Sequence, residues 1–251
     1  MTAEFRGLLF DFDGTVAETE RHGQRVAYNQ AFAALGLDWH WDEELYRDLL
    51  SVAGGGQRLR YYLARYRPEL AEQPATAGLI ARIHQEKIRH FSAIASAIPF
   101  RPGIRRLIAE ADHAGLAVAI VTTASRPGVE ALLGQDPATA RRVSLIAGNE
   151  VVERKKPAPD AYLWALDRLG LAPDEAVAVE DSAIGLTAAL AAGIATLVTV
   201  SDYTGGEDFT GARAVLGSLG DPGAPCLAVR GPAPADGVVD LAYLRAIRHT
   251  D

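Results

Sequence analysis

The 251-residue sequence contains a single cysteine, Cys226, so no disulfide can form within the chain. One unpaired thiol is typical of proteins in a reducing compartment. The chain also lacks an apolar stretch close to the roughly 20 residues of a membrane-spanning helix. Its first residues include Glu4 and Arg6, which leave no room for the apolar segment of a signal peptide. These absences predict a cytoplasmic protein that does not enter a membrane.

Basic residues are fewer than acidic ones, 25 against 32. The formal net charge is −7, and lysine and arginine form no run longer than residues 154–156. This argues against general binding of nucleic acids or anionic membranes, but it leaves room for a local basic pocket that holds a phosphorylated metabolite. With 49% hydrophobic residues the chain can build a sizeable core. We find no internal repeat and no low-complexity tract.

The most informative stretch is LLFDFDGT, residues 8–15. An apolar run followed by two aspartates and Gly-Thr is typical of a buried strand that ends in a tight acidic loop. In open α/β sheets, ligands bind beyond the carboxyl ends of the strands, so Asp11 and Asp13 would lie on the floor of such a crevice. Two close carboxylates repel each other unless a cation compensates them, which predicts a Mg²⁺ site. The alternative is an ordinary Asx turn.

The rest of the chain divides into two patterns. Residues 17–98 show apolar residues at helical spacing, interrupted by glycines and prolines, which predicts four helices. From Pro99 onwards strands and helices alternate, which indicates right-handed crossovers and a parallel sheet. We therefore predict an α/β protein with a Rossmann-like parallel sheet flanked by helices, formed by residues 1–16 and 99–251, and an inserted helical cap domain at 17–98. Residues 241–247 are predicted to form a terminal helix.

Further polar residues follow the predicted strands. Thr122 ends one strand, Glu180 and Asp181 end another, and Lys156 precedes a helix at the same edge of the sheet. Taken singly, each has an ordinary structural explanation, as a capping hydroxyl, a solvated lysine or a helix start. Together they bring charge neutralisation, positioning and a nucleophile to one point, which is what phosphoryl transfer needs.

In their order and spacing these stretches resemble the four motifs of the haloacid-dehalogenase-like phosphatases, which are Mg²⁺-dependent phosphoryl-transfer enzymes. The resemblance implies that Asp11 attacks phosphorus and forms an aspartyl-phosphate. It implies that Asp13 protonates the leaving oxygen and later deprotonates water. Thr122 and Lys156 would bind phosphate oxygens, and Lys156 rather than Lys155 is preferred because it directly precedes proline.

The resemblance also implies the ligands of Mg²⁺. Asp11, the main-chain carbonyl of Asp13 and Asp181 would hold the ion, and Glu180 would bind it directly or through water. The substrate would lie between this edge of the sheet and the cap. The residues that we predict to contact it are Glu18, Thr19, Gly54, Gly55, Gly56, Gln57, Arg58, His84, Lys87, Thr123 and Ser125.

The cap adds a closer resemblance, to the Calvin-cycle-associated sugar bisphosphate phosphatases. It rests on ETE at 18–20, residues 53–59, HxxK at 84–87, RPG at 101–103, KKP at 155–157 and EDSAIGL at 180–186. It implies a substrate such as xylulose bisphosphate, whose distal phosphate Arg58, His84 and Lys87 would bind. The chain departs from this branch at Gln57, where a lysine is usual, and at Gln24, where a histidine is often found. His84 and Lys87 can alternatively be the exposed face of a long helix.

Three alternatives remain open. A sugar-phosphate mutase would use the same two aspartates and return the phosphoryl group to another hydroxyl. A non-catalytic sugar-phosphate sensor could use the same scaffold, although no motif acid is missing. A small monophosphate such as phosphoglycolate would leave the cations of the cap unused. We predict a monomer whose partner is a small phosphorylated sugar.

Overall fold

A computed structural model describes residues 4–248, so residues 1–3 and 249–251 of the predicted core lie outside the described part of the chain. Within it, the strands form one sheet in the order β3-β2-β1-β4-β5-β6-β7, parallel except for the antiparallel β7. This confirms the predicted fold class. The strands are β1 (Gly7–Phe10), β2 (Ala117–Val121), β3 (Leu145–Ala147), β4 (Ala176–Glu180), β5 (Ala195–Thr199), β6 (Ala214–Leu216) and β7 (Ala228–Arg230).

The central strands are apolar because helices cover both faces of the sheet. Every residue of β1 and β4 is buried, and β1 pairs with β2 on one side and with β4 on the other. Strands buried on both faces have continuous rather than alternating apolar sequences, as LLF and AVAV do here. The carboxyl ends of β1, β2 and β4 therefore lie side by side.

Between residues 20 and 94 the chain forms a group of helices around an aromatic cluster. Trp41 lies at its centre, with its ring centroid 4.5 Å from that of Tyr28 and 5.0 Å from that of Phe32. Five α-helices are present where the sequence predicted four, because the one-turn α4 is too short to show helical spacing. A π turn at Glu20–Gln24 precedes α1 (Arg25–Ala34), α2 (Glu43–Leu49), α3 (Gly55–Tyr66), α4 (Pro68–Ala71) and α5 (Thr76–Ile94).

The remaining helices flank the sheet. The terminal helix is confirmed with the predicted bounds, whereas β6 and β7 were not predicted, because three-residue strands show too little alternation. Cys226 is a buried free thiol. The flanking helices are α6 (Ile104–His113), α7 (Arg126–Leu133), α8 (Pro137–Ala140), α9 (Asp160–Leu169), α10 (Ala183–Ala191) and α11 (Leu241–Ile247).

The two connections between the helical insert and the sheet lie beside each other. Ala17 forms a β-bridge with Phe100, and the N–H of Arg101 donates to the carbonyl of Val16 at 2.9 Å. The buried Arg101 guanidinium also donates to the carbonyls of Gly14, Thr199, Val200 and Gly217. This arginine therefore ties the base of the insert to the acidic loop and to the sheet.

None of the helices within residues 4–248 combines the length and the apolar character that crossing a membrane requires.

Candidate active site

The acidic loop starts where β1 ends. The N–H of Asp11 donates to the carbonyl of Val179 at 2.9 Å, which extends the sheet ladder by one residue and fixes the start of the loop. Gly14 has φ +84°, and a Cβ at this position would lie 2.2 Å from Oδ2 of Asp181. Glycine is needed here for its backbone conformation and for this close approach to a carboxylate.

Lys156 links the carboxyl ends of three strands. Its Nζ donates to Oδ1 of Asp11 at 2.7 Å, to Oε1 of Glu180 at 2.7 Å and to the carbonyl of Val121 at 2.8 Å. The lysine side chain is only 4% exposed, so these bonds form in a nearly dry environment. The neighbouring Lys155 donates instead to main-chain carbonyls outside this network. Of the two lysines, only Lys156 contacts Asp11 and Glu180 within residues 4–248.

Three buried carboxylates face one another beside this lysine. Asp11, Glu180 and Asp181 each offer an oxygen within 4.8 Å of those of the other two. The hydroxyl of Tyr162 donates to Oε1 of Glu180 at 2.5 Å, while Oε2 has no hydrogen-bond partner among the residues the structure describes. A single lysine cannot neutralise three carboxylates, and hard divalent cations prefer oxygen ligands. The cluster therefore fits Mg²⁺.

The pKa values of the cluster also indicate that it needs a cation. Burial raises the pKa of Asp11 to about 8 although the Lys156 ammonium lowers it, and the charge of Glu180 raises it further. Burial and the charges of Asp11 and Glu180 raise the pKa of Asp181 well above its ordinary value. Burial alone would lower the pKa of Lys156, but the two carboxylates outweigh it and the pKa is raised. The carboxylates thus lack positive charge, which a cation would supply.

The hydroxyl residues after β2 occupy different places. Oγ1 of Thr122 accepts a hydrogen bond from the N–H of Ala124 at 3.0 Å, so this side chain caps its own turn and keeps its O–H free to donate. Thr123 lines the cavity described below. Ser125 is the residue before α7, and its side chain makes no capping bond.

The insert brings two buried cations towards the acidic loop. Nη1 of Arg58 donates to the Tyr46 hydroxyl at 2.9 Å and lies 3.7 Å from Oε2 of Glu20. Nζ of Lys87 lies 5.3 Å from the centre of the Tyr28 ring, and burial lowers its pKa to about 8 despite the opposing charges of Asp13 and Glu20. Both side chains remain cationic at neutral pH.

Other residues that were predicted to contact the substrate interact with neighbouring residues of the protein itself. Burial, with the charge of Lys87, lowers the pKa of His84 to about 4, so this histidine is neutral at pH 7 and adds no positive charge. A Cβ at Gly55 would lie 2.6 Å from the Tyr28 hydroxyl and 2.9 Å from the His84 ring, so Gly55 allows close packing. Gly54 has φ +84°, and the carboxylate of Glu18 pairs with Arg101 at 3.1 Å.

A cavity of about 400 Å³ lies between the acidic loop and the insert. Its wall also contains residues that were not predicted, four of them in the loop after β5. Because β5 is parallel to β4, the rule that ligands bind at carboxyl strand ends could have indicated this loop. Of the residues predicted from the sequence, the wall contains Asp11, Asp13, Arg58, Thr123, Lys156 and Asp181. It does not contain Glu18, Thr19, Gly54, Gly55, Gly56, Gln57, His84, Lys87, Thr122, Ser125 or Glu180. The polar wall residues that were not predicted are Glu20, Ser51, Ser182, Ser201, Tyr203, Thr204 and Glu207.

The fold and the site together are typical of hydrolases that transfer a phosphoryl group. They combine a parallel sheet, an acidic loop after β1 and a buried lysine beside further carboxylates. The family model of haloacid dehalogenase-like hydrolases matches residues 5–193. The chain belongs to this family. Membership confirms the predicted class of enzyme, a phosphatase of the haloacid dehalogenase type.

Within this family, the chain is similar to proteins named CbbY. Protein CbbY, plasmid, of Cupriavidus necator is 46% identical over 250 residues, which is 97% of each chain. A crystal structure of CbbY from Rhodobacter sphaeroides in complex with phosphate is 44% identical, with a TM-score of 0.79, and the match covers 85% of this chain and 94% of that one. A mutant of the same protein in complex with xylulose-(1,5)bisphosphate is 43% identical over the same shares, also with a TM-score of 0.79.

Proposed function

We propose that this protein is a Mg²⁺-dependent phosphatase that removes one phosphate from a sugar bisphosphate through an aspartyl-phosphate. The observation that carries the proposal is the buried network of Asp11, Lys156 and Glu180, with Asp181 within reach of the same cation. Arg58 of the insert lies in the wall of the cavity, and Lys87, the second cation of the insert, is buried and is not part of that wall. A nucleophile, a fixed ammonium and a metal site are thus on one side, and a second basic region is on the other.

In the proposed reaction an oxygen of Asp11 bonds to phosphorus while the bond from phosphorus to the sugar oxygen breaks. Asp13 gives its proton to that oxygen, and then takes one from the water that releases phosphate from Asp11. Lys156 and Thr122 bind the phosphate oxygens. Asp11, Asp181, the main-chain carbonyl of Asp13 and, directly or through water, Glu180 would hold Mg²⁺. When bound, this ion supplies positive charge for the phosphoryl group.

The substrate proposal rests on the charges of the insert and on the relative crystallised with xylulose-(1,5)bisphosphate. Arg58 and Lys87 supply two charges for a distal phosphate, and charge-assisted bonds of this kind are the strong ones. Glu20 shares the region, so the phosphate would replace its pairing with Arg58. His84 would contribute packing or a neutral hydrogen bond. A pentulose bisphosphate uses both basic regions, whereas a small monophosphate leaves one of them empty.

We further propose that residues 17–98 act as a cap that covers the substrate, with 1–16 and 99–251 as the core. Two adjacent connections at Ala17 and Phe100 support this division. The monomeric state and the cytoplasmic location stay predictions.

The test is release of phosphate from a panel of sugar monophosphates and bisphosphates, including xylulose bisphosphate, with and without Mg²⁺. Asp11→Asn should abolish release, while Asp38→Asn, at a position whose side chain is 86% exposed, should retain it. Fast Mg²⁺-dependent release confined to a pentulose bisphosphate supports the proposal. Release spread over monophosphates contradicts the substrate assignment alone.

Product analysis by NMR separates the main alternative. Isomerised sugar phosphate without free phosphate would identify a mutase. Binding without any turnover would identify a sensor and contradict the proposed reaction.

A further inference from the structure

The side chain of Gln24 lies against Asp13 and has no part in the reaction described so far. It is 3% exposed, and its Nε2 donates to Oδ1 of Asp13 at 2.7 Å. The Thr19 hydroxyl donates to the same oxygen. One oxygen of the Asp13 carboxyl therefore accepts two hydrogen bonds from the first residues of the insert.

The π turn at Glu20–Gln24 explains how an amide reaches this point. Such a turn holds one residue more than an α-helical turn and is frequent at functional sites. From Arg25 onwards α1 is regular, and it buries its apolar side in the aromatic cluster. A Cβ at Gly23 would lie 2.6 Å from both Ile98 and Phe91, so the π turn packs tightly against the insert. Gln24 is the last residue of the π turn and directly precedes α1, and from this position its amide reaches Asp13.

We propose that Gln24 is a positioning residue that fixes which oxygen of Asp13 exchanges the proton. Because Oδ1 accepts two hydrogen bonds, the proton is carried on Oδ2. In the first step Oδ2–H gives its proton to the sugar oxygen as the phosphorus–oxygen bond breaks. In the second step Oδ2 takes a proton from the attacking water. This inference rests on the proposed function, since it assumes that Asp13 is the acid and base.

An amide suits this task because it does not titrate and always presents N–H donors. The Oε1 atom of Gln24 has no hydrogen-bond partner among residues 4–248, so within that range the amide has Asp13 as its partner. A residue that only filled space here would not need a donor.

The test compares two substrates that differ in their need for an acid. A sugar phosphate has a leaving oxygen that must be protonated, whereas p-nitrophenyl phosphate releases an anion that is stable without a proton. Gln24→Met keeps the size of the side chain and removes the donor. We expect kcat on the sugar phosphate to fall about 10- to 100-fold, the range for loss of one hydrogen bond to a charged group. On p-nitrophenyl phosphate the pre-steady-state burst of p-nitrophenolate, which reports the phosphorylation of Asp11 and not the later attack of water, should keep its rate within about 3-fold, because general acid catalysis contributes little to that step.

Three variants accompany it. Gln24→His restores an N–H donor and should recover most of the lost rate. Thr19→Val removes the second donor and should show the same contrast, which keeps the proposal testable if Gln24→Met folds poorly. Gln73→Met makes the same exchange at an amide that donates to the carbonyl of Glu69 at 2.8 Å, outside the site, and should change neither rate.

Equal losses in sugar phosphate turnover and in the p-nitrophenolate burst of folded Gln24→Met and Thr19→Val, or no loss in either, would overturn the inference. The proposed function is tested separately by Asp13→Asn and Asp11→Asn. If Asp13→Asn loses sugar phosphate turnover but keeps the p-nitrophenolate burst, and Gln24→Met loses neither, the role of Gln24 is wrong and the reaction stands. If Asp11→Asn keeps its activity on both substrates, the proposed reaction itself fails.

Discussion

Replacing Lys156 with methionine tests whether this buried lysine holds the carboxylate cluster together. The exchange keeps most of the apolar stem and removes the ammonium, which is 2.7 Å from Asp11 and 2.7 Å from Glu180. Removing one partner of a buried ion pair typically costs about 3–5 kcal/mol, because the remaining charge is left uncompensated. Here two carboxylates and the Val121 carbonyl lose their donor at once.

We therefore expect the free energy of unfolding of the metal-free protein to fall by about 3–5 kcal/mol at pH 7. For a chain of this size that corresponds to a decrease in Tm of roughly 6–20 °C. Urea unfolding followed by circular dichroism, with EDTA present, measures the change. Mg²⁺ should restore part of the loss, because it supplies positive charge to the same oxygens and binds only the folded state.

The adjacent lysine provides the control. Nζ of Lys155 donates to the main-chain carbonyls of Asn149 and Val152, which are neutral. Lys155→Met should therefore cost only about 1–2 kcal/mol, the net value of one or two ordinary hydrogen bonds. Equal losses in the two variants, or a loss below about 1 kcal/mol for Lys156→Met, would refute the argument from buried charge.

Three further predictions concern charge, packing and metal. Because burial lowers the pKa of Lys87 to about 8, its ammonium is present below that pH and lost above it. In a pH series, kcat/KM for a sugar bisphosphate should therefore fall above pH 8, and this fall should be absent from Lys87→Met. Gly185→Ala should lower the free energy of unfolding by about 1–3 kcal/mol in urea titrations, because its Cβ would lie 2.0 Å from Oε2 of Glu180. Gly78→Ala, at a helical position with nothing within 4 Å, should instead raise it by about 0.5–1 kcal/mol; the reverse order of the two glycines would contradict the packing argument. Mg²⁺ should raise Tm in a thermal-shift assay and EDTA should lower it, and an unchanged response in Asp181→Asn would exclude this carboxylate as a ligand.

Much of the fold could be predicted from the sequence because the signals are local. The apolar run of β1 and the two aspartates after it lie within eight residues, and helix spacing is visible over three or four turns. Since parallel strands end at the same edge of a sheet, Lys156 and Asp181 could be assigned to the site of Asp11 before any distance was known.

The role of the cap residues could not be predicted in this way. His84 and Lys87 are three residues apart in the sequence, and helical spacing predicts a shared face. In the structure burial lowers the pKa of the histidine to about 4 and that of the lysine to about 8, so only the lysine is charged at pH 7. This difference depends on how far each group is removed from water, which follows from the packing of distant segments.

The sequence by itself determined the order of the longer helices and of strands β1 to β5, the acidic loop and the residue types that meet at the edge of the sheet. Only the tertiary structure decided that Glu18 pairs with Arg101, that the loop after β5 lines the cavity and that Gln24 donates to Asp13. The physical reason is that secondary structure follows the local periodicity of apolar residues. A hydrogen bond or an ion pair depends on ångström-scale distances and on desolvation, which are set only when segments far apart in the chain pack together.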